Sequence, residues 1–310
     1  GGNIVIIDTI LKNCSKRQNH KCDEQCENCS YGEFCPEDCE KCLEYIHYPY
    51  RAKDGAPKRK YDCPNMADFY TCKYSYRYTS EIMYALERTT RLFTVKNLKV
   101  LSFGCGPCTD LFAIDCLREN GTLTYDTLEY HGIDYSESVW KNIHDDIKSF
   151  ENDKIKISFF YKDACQIIND ISKGTWIPDL IVFQYVFSDM EKHTSSDNIR
   201  SFLETFSEYY NSKVTKNTYI ILNDINLGRS YGGGRDYFDD LRSRLTSSES
   251  LKGRFRDDNA KSVYYPRGYT YGERSLGEFP TNKNKFDLTP MKKYNPFNTC
   301  ASAQMLIRKD

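Results

Sequence analysis

The sequence lacks several features that would identify a membrane or secreted protein. It has no apolar run of about 18 residues, and no basic region precedes the short apolar run at residues 4–7. We therefore expect no membrane-spanning helix, no membrane partner and no secretory signal. Basic and acidic side chains number 43 and 44, and the net charge of -1 excludes a uniformly basic coat, although not a local basic patch. The 310 residues allow about two domains.

Cysteine is scarce in most of the chain and abundant at its start. Nine of the 14 cysteines lie in the first 72 residues, and the others are scattered over the remainder. A secreted domain stabilised by disulfides is usually small and carries cysteines throughout. The uneven distribution favours metal binding in a reducing compartment, so we expect an intracellular protein, either cytoplasmic or nuclear.

The spacing of these cysteines indicates zinc. A Cys-x3-Cys-x2-Cys triplet occurs twice, 13 residues apart, and neighbouring thiolates at such spacings can bind one ion. Each triplet lacks a fourth ligand, which Cys14 could supply to the first, and Cys63 or Cys72 to the second. With bridging sulfurs, nine thiolates could instead hold three ions. We predict two or three structural zinc ions, with reduced, unliganded cysteines or disulfides as the alternative. The candidate ligands are Cys14, Cys22, Cys26, Cys29, Cys35, Cys39, Cys42, Cys63 and Cys72.

Charge changes sign within the predicted zinc module, residues 1–78. Residues 22–44 carry eight acidic residues and one basic residue, which makes this segment a possible surface for a protein partner. Residues 48–78 are basic and contain many tyrosines. Cations interleaved with aromatic rings favour contact with phosphates and stacking on bases. The alternative is that the tyrosines pack around the metal module.

After a helix predicted to begin near Thr79, strands and helices alternate. The predicted strands are 98–103, 128–133, 155–161, 180–183, 219–222 and 303–307. The predicted helices are 110–117, 136–150, 164–171, 197–210 and 237–245. This order predicts an α/β fold with a parallel, doubly wound sheet, in which ligands bind at the carboxyl ends of the strands.

Candidate ligand-binding residues follow the first three strands. Gly104 and Gly106 lie in the turn after the first strand, where they allow the backbone to approach a ligand closely. Asp134 ends the second strand, in a position to bind both hydroxyls of a ribose. Asp163 follows the third strand and could accept a hydrogen bond from an adenine amino group.

Together these motifs resemble the class I (Rossmann-like) methyltransferases that use S-adenosyl-L-methionine (SAM). The resemblance covers residues 79–310, and it implies a mostly parallel sheet with a reversed last strand at 303–307. In this chain Ser102 replaces the usual acid of the first motif, for which Asp110 could substitute, and Cys108 replaces the third glycine. NAD binding, the alternative, does not explain Asp163-Ala164 or the last strand. The implied cofactor-binding residues are Ser102, Phe103, Gly104, Cys105, Gly106, Asp134, Tyr135, Asp163, Ala164 and Gln184.

The residues after the fourth strand are the candidates for catalysis. Asp189 could act as the base for a hydroxyl acceptor, and Tyr185 could stack on a substrate ring; capping or packing roles are the alternative. Neither motif that marks amine or cytosine-C5 methylation of bases is present. Residues 251–293 are basic and rich in tyrosine, and with residues 48–78 they suggest an RNA or DNA acceptor. Two alternatives remain. The acceptor could be a protein or a small molecule, or the chain could be a non-catalytic binding module on a degenerate SAM fold.

Overall fold

The structure is a computed structural model that describes residues 5–18, 29–214, 217–245, 248–250, 269–271 and 302–309. The predicted ligands Cys22 and Cys26 lie outside the described residues. So does the basic segment 251–293, apart from a short strand.

The elements alternate along the chain much as the sequence predicts. The helices are α1 (Ile6–Arg17), α2 (Cys39–His47), α3 (Pro64–Leu86), α4 (Thr109–Glu119), α5 (Glu137–Lys148), α6 (Ala164–Ser172), α7 (Val186–His193), α8 (Ser196–Lys213) and α9 (Asp236–Arg244). The strands are β1 (Asn97–Phe103), β2 (Thr127–Ile133), β3 (Ile155–Phe160), β4 (Leu180–Gln184), β5 (Tyr219–Asp224), β6 (Ser248–Ser250), β7 (Tyr269–Tyr271) and β8 (Ser302–Lys309).

The strands form one sheet in the order β3-β2-β1-β4-β5-β8-β6, and β7 also pairs with β8. Strands β1 to β5 are parallel, whereas β8 runs antiparallel to β5. The prediction of a mostly parallel sheet with a reversed last strand is confirmed. Phe103 pairs with Ile133 on one side and Phe183 on the other, and this register brings the carboxyl ends of β1, β2 and β4 level.

Helices cover both faces of the sheet. Successive side chains of a strand point to opposite faces of the sheet. Val100 and Val182 therefore belong to one buried cluster, and Phe103 and Phe183 belong to the other. On the first face α3 contacts α1, α4 and α5, and in the second cluster α8 contacts α6 and α9. The sheet is therefore doubly wound.

The predicted start of a helix near Thr79 is wrong, because α3 begins at Pro64. Proline suits the first helical position, where no intrahelical partner is available for an N–H. Ser80, expected near the N-terminus of the helix, lies inside it and donates its hydroxyl to the Tyr76 carbonyl at 2.7 Å. Helix α3 crosses the predicted domain boundary between residues 78 and 79, and that division stays a prediction.

The amino-terminal helix is attached to the same fold. Arg17 of α1 forms ion pairs with Asp68 of α3 at 2.9 Å and with Asp146 of α5 at 2.7 Å. Part of the segment assigned to the zinc module therefore packs against helices of the α/β sheet. Within the described ranges, no helix is both long enough and apolar enough to cross a membrane.

Candidate active site

A cavity of about 680 Å³ lies at the carboxyl ends of the parallel strands. Its volume falls within the range of small-molecule and cofactor pockets. Every residue that the sequence analysis proposed for cofactor binding or catalysis lines this cavity. They are Ser102, Phe103, Gly104, Cys105, Gly106, Asp134, Tyr135, Asp163, Ala164, Gln184, Tyr185 and Asp189.

The glycine turn and Asp134 are joined directly. Gly104 and Gly106 have φ angles of 59° and 47°, in the left-handed region that glycine adopts without strain. The Asp134 carboxylate accepts the Gly106 N–H at 3.0 Å and the Ser136 N–H at 3.1 Å. Burial raises the pKa of Asp134, while these backbone donors favour its charged form. Asp134 thus fixes the turn at the edge of the cavity.

Asp163 caps a helix as well as lining the cavity. Its Oδ1 accepts the Cys165 N–H at 2.9 Å, and its Oδ2 accepts the hydroxyl of Tyr135 at 2.7 Å. The Tyr135 side chain is 71% exposed. An adenine amino group at Asp163 would therefore share Oδ2 with the Tyr135 hydroxyl or replace it.

Asp110 supplies a carboxylate where the first motif lacks one. It is buried at the start of α4, lines the cavity, and accepts the Tyr130 hydroxyl at 2.7 Å. Burial raises the pKa of Asp110, whereas the neighbouring Ser102 and Tyr130 hydroxyls oppose that shift. Asp110 and Ser102 are thus neighbours beside the cavity.

Tyrosines from the amino-terminal part of the chain form a wall of the cavity. Tyr61 lies before α3, and Tyr70 and Tyr78 lie on it. The ring centroids of Tyr61 and Tyr70 are 5.7 Å apart, and those of Tyr78 and Tyr185 are 4.4 Å apart. The sequence analysis did not anticipate this wall. The eight-residue separation of Tyr70 and Tyr78, which places both on one helix face, was the available signal.

A buried network holds Tyr185 in place. Tyr185 adopts a φ of 58°, uncommon for a residue other than glycine, and its hydroxyl donates to the Glu81 carboxylate at 2.8 and 2.9 Å. Glu81 is fully buried, accepts the side-chain N–H of Asn223 at 2.6 Å, and pairs with Arg77 at 3.3 Å. Sequence reasoning missed Glu81, because nothing local distinguishes this acid from others on helices.

Gln184 links the sheet to both neighbouring helices. Its carbonyl oxygen accepts the Thr109 hydroxyl at 2.6 Å, and its amide nitrogen donates to the Tyr78 carbonyl at 2.9 Å. Gln184 therefore connects the end of β4 to α4 and to the helix that carries the tyrosine wall.

Asp189, on the first turn of α7, has a raised pKa. Burial, followed by the charges of Asp134 and Asp224, raises its pKa to about 7, with Lys192 and Lys58 opposing the shift. The side chain is 53% accessible, and that surface faces the cavity. His193 lies 3.6 Å away, and burial and nearby lysines lower its pKa to about 4, so it is neutral at pH 7.

Several predicted zinc ligands lie around a buried arginine. The Arg59 guanidinium pairs with Asp62 and interacts with Cys29 and Cys42, and Cys42 interacts in turn with Cys35 and Cys63. Among the residues that the structure describes, no three of the predicted ligands have sulfurs within 4.8 Å of one another. Their role as zinc ligands stays a prediction.

Two other predicted ligands lie in the main core. Cys14 on α1 and Cys72 on α3 are buried there and are hydrogen-bonded to each other. The Cys72 thiol also donates to the Leu11 carbonyl at 3.8 Å. They belong to a different buried cluster from Cys42 and Cys63, and their metal role likewise stays a prediction.

Comparison with known proteins yields distant structural likenesses. No protein-family model and no curated protein matches the chain. The plantazolicin methyltransferase BpumL, solved with SAH, is 14% identical with a TM-score of 0.46, over 87% of this chain and 98% of that chain. Magnesium protoporphyrin IX methyltransferase (ChlM) from Synechocystis PCC 6803 with bound SAM is 10% identical, with a TM-score of 0.39, over 88% and 98%. NSun6 from Pyrococcus horikoshii with SFG is 12% identical, with a TM-score of 0.40, over 72% and 51%. At this distance none of them identifies what this chain does.

Proposed function

We propose that the protein is a SAM-dependent methyltransferase. The observation that carries the proposal is the convergence of the glycine turn, Asp134 and Asp163 on one cavity that tyrosines also line. The glycine turn and the two acids offer a close backbone approach and hydrogen-bond acceptors, which suit an adenosine. The tyrosines offer a surface for a planar acceptor, and methyl transfer requires that the two ligands bind side by side.

The residues around the turn fit the cofactor. Asp134 would accept hydrogen bonds from the ribose hydroxyls while holding the Gly106 N–H. Asp163 would accept from the adenine amino group. Asp110 would pair with the ammonium of the methionyl end in place of the acid that Ser102 replaces, because it is the buried carboxylate beside Ser102 at the cavity wall.

Replacing Asp110 by asparagine tests whether Asp110 binds the ammonium group of SAM. We expect SAM affinity to fall about 10- to 150-fold, because a charge-assisted hydrogen bond contributes roughly 1.5–3 kcal/mol. Isothermal titration with SAM measures the change. Tyr130→Phe, which removes only the hydroxyl that orients Asp110, should have a smaller effect; unchanged affinity in Asp110→Asn would exclude the ammonium contact.

When bound, SAM supplies an electrophilic methyl group for an in-line displacement. Tyr185, held by Glu81, would stack on the acceptor ring and orient it. Asp189 would take the proton that the acceptor loses, because its pKa of about 7 suits a base that works near neutral pH. The tyrosine wall would keep water from the reacting atoms.

The proposed acceptor is a planar ring presented by RNA or DNA. An aromatic cavity of this kind suits a base that is turned out of its strand. Outside it, Tyr50 is 77% exposed and the Arg51 guanidinium lies over the Tyr48 ring at 4.3 Å, which is a combination that stacks on bases and contacts phosphates. Lys58 contacts the carbonyl of Lys192, a residue that lines the cavity, so this contact brings a second lysine close to the cavity.

A free planar small molecule is the second candidate acceptor. The tyrosine wall comes from the amino-terminal part of the chain and covers the cavity beside Trp140. Such a cover favours a ligand that enters whole over one that remains attached to a long polymer. The same cavity residues would perform the chemistry in either case.

The cysteine-rich segment would bind two or three structural zinc ions in this proposal. Zinc held by four thiolates has a net negative charge, and the buried Arg59 beside Cys29 and Cys42 would offset it. The acidic residues of segment 22–44 remain a candidate surface for a protein partner. Elemental analysis of the purified protein tests the metal content.

Transfer of labelled methyl groups from SAM to RNA, DNA, protein and small-molecule fractions tests the function. We expect label in RNA or DNA, and its loss in the Tyr185→Leu variant, which keeps bulk but removes the ring and the hydroxyl bond to Glu81. Label in the small-molecule fraction alone would favour the second candidate, and label in protein would refute both. No transfer with intact SAM binding would indicate a non-catalytic binding module.

A further inference from the structure

A cluster of three metal-binding side chains lies behind the glycine turn, apart from the cysteines near the amino terminus. The side chains are Cys105 and Cys108, in the turn between β1 and α4, and His144 on α5. All three are buried, and their ligand atoms lie within 4.8 Å of one another. In the described part of the chain, no other group of three such residues meets this criterion.

The backbone brings the two thiols together. The Cys108 N–H donates to the Cys105 carbonyl at 2.8 Å, which closes a tight turn, and Cys108 has a φ of 69°. A left-handed residue other than glycine is uncommon and often marks a functional turn. This Cys-x2-Cys spacing is the one that zinc sites use to supply two ligands from a single turn.

His144 is held in a defined orientation beside this turn. Its ring stacks on Phe159, with centroids 3.8 Å apart. Nε2 lies 2.7 Å from the Gly106 carbonyl, which can only accept, so Nε2 carries the proton. Nδ1 then accepts from the Tyr161 hydroxyl at 2.8 Å. Fixing of one ring nitrogen by a neighbouring polar group is typical of metal-binding histidines.

We propose that Cys105, Cys108 and His144 bind one zinc ion. Two thiolates balance the charge of the ion, and thiolate and imidazole are the donors that zinc prefers. With Zn–S distances of about 2.3 Å, tetrahedral sulfurs lie roughly 3.8 Å apart, so the cluster need contract by only about 1 Å. Binding would release the two thiol protons to solvent.

The site would couple the ion to the turn that lines the cavity. Zinc would replace the hydrogen bond of one His144 ring nitrogen, and the other ring nitrogen would carry the proton and keep its own polar partner, Gly106 or Tyr161. Three protein ligands leave one tetrahedral position, which water or a ligand in the cavity can fill, since Cys105 lines the cavity. The ion would therefore link α5 to the turn beside Asp134.

Counting bound zinc by native mass spectrometry tests the proposal with the full, reduced chain. We expect the wild type to bind one more ion than Cys105→Ser, Cys108→Ser or His144→Asn, whatever number the amino-terminal cysteines hold. His144→Cys should retain the ion, because sulfur replaces nitrogen. The matched control is Cys116→Ser, which removes a buried thiol of α4 outside the cluster.

A second measurement uses only the wild type and so does not depend on how the variants fold. In mild denaturant, zinc should slow alkylation of Cys105 and Cys108 several-fold more than alkylation of Cys116, which reports only the change in global stability. Equal zinc counts in wild type and folded variants, or unchanged alkylation rates, would overturn the site. A Cys105–Cys108 disulfide formed in air without any zinc effect would identify a redox pair instead. These outcomes are independent of whether the protein transfers methyl groups.

Discussion

Replacing Asp134 by alanine is expected to weaken SAM binding about 150- to 20,000-fold. The carboxylate would accept both ribose hydroxyls, and each charge-assisted bond contributes roughly 1.5–3 kcal/mol. It also holds the Gly106 N–H at 3.0 Å, so its removal loosens the turn that approaches the cofactor. Isothermal titration calorimetry measures the loss directly.

The control for this change is Asp126→Ala. Asp126 is an exposed acid immediately before β2, whereas Asp134 follows the other end of that strand. The control should bind SAM like the wild type. Circular dichroism and thermal melting establish that both variants are folded. Wild-type affinity in folded Asp134→Ala would remove the ribose contact from the proposal, and with it the assignment of the cavity to adenosine.

Replacing Asp189 by asparagine is expected to lower kcat about 100- to 10,000-fold while leaving SAM affinity unchanged. This is the range that a positioned general base contributes, and asparagine preserves the shape of the side chain but cannot take a proton. Single-turnover transfer of labelled methyl groups, with SAM saturating, measures the chemical step. Asp197→Asn, an exposed acid on α8, is the control.

The pH dependence distinguishes a base from a residue that only shapes the cavity. Because the Asp189 pKa is raised to about 7, the wild-type rate should increase as pH rises through that value and then level off. Burial is the largest cause of this raised pKa, and the charged groups that modify it are Asp134, Lys192, Asp224 and Lys58. If the residual rate of the Asp189→Asn variant still showed an inflection near pH 7, the group that titrates would not be Asp189.

Stability offers an independent check on Asp189. A carboxyl with a raised pKa in the folded state keeps its proton more tightly than in the unfolded chain, so its contribution is present at low pH and is lost as pH rises towards 7. The asparagine variant should therefore melt at a higher temperature than the wild type above pH 7, and the difference should shrink towards pH 4. A lower melting temperature for the variant at pH 8 would contradict the raised pKa.

The α/β part of the fold could be predicted from the sequence because the patterns that mark its strands and helices are local. Apolar runs such as 98–103 and 180–183 are short enough for buried strands, and helices such as 136–150 show a one-sided apolar pattern. The parallel order then follows from alternation, since parallel neighbours need a crossover. The first part of helix α3 escaped detection because its buried residues between Asp68 and Ser80 are mostly tyrosine or polar, so no continuous apolar stripe marks it.

The cavity, too, could be predicted from the sequence only in part. The residues after β1, β2 and β3 could be assigned together, because strand ends in a parallel sheet meet at one edge whatever the rest of the chain does. The sequence by itself thus determined the alternating order, the glycine turn and the acids at the strand ends. Only the tertiary structure decided that Tyr61, Tyr70 and Tyr78 close the cavity, that Glu81 holds Tyr185, and that His144 meets Cys105 and Cys108. Those contacts join residues far apart in the chain, such as Glu81 and Asn223, and depend on how whole helices pack on the sheet, which no local pattern encodes.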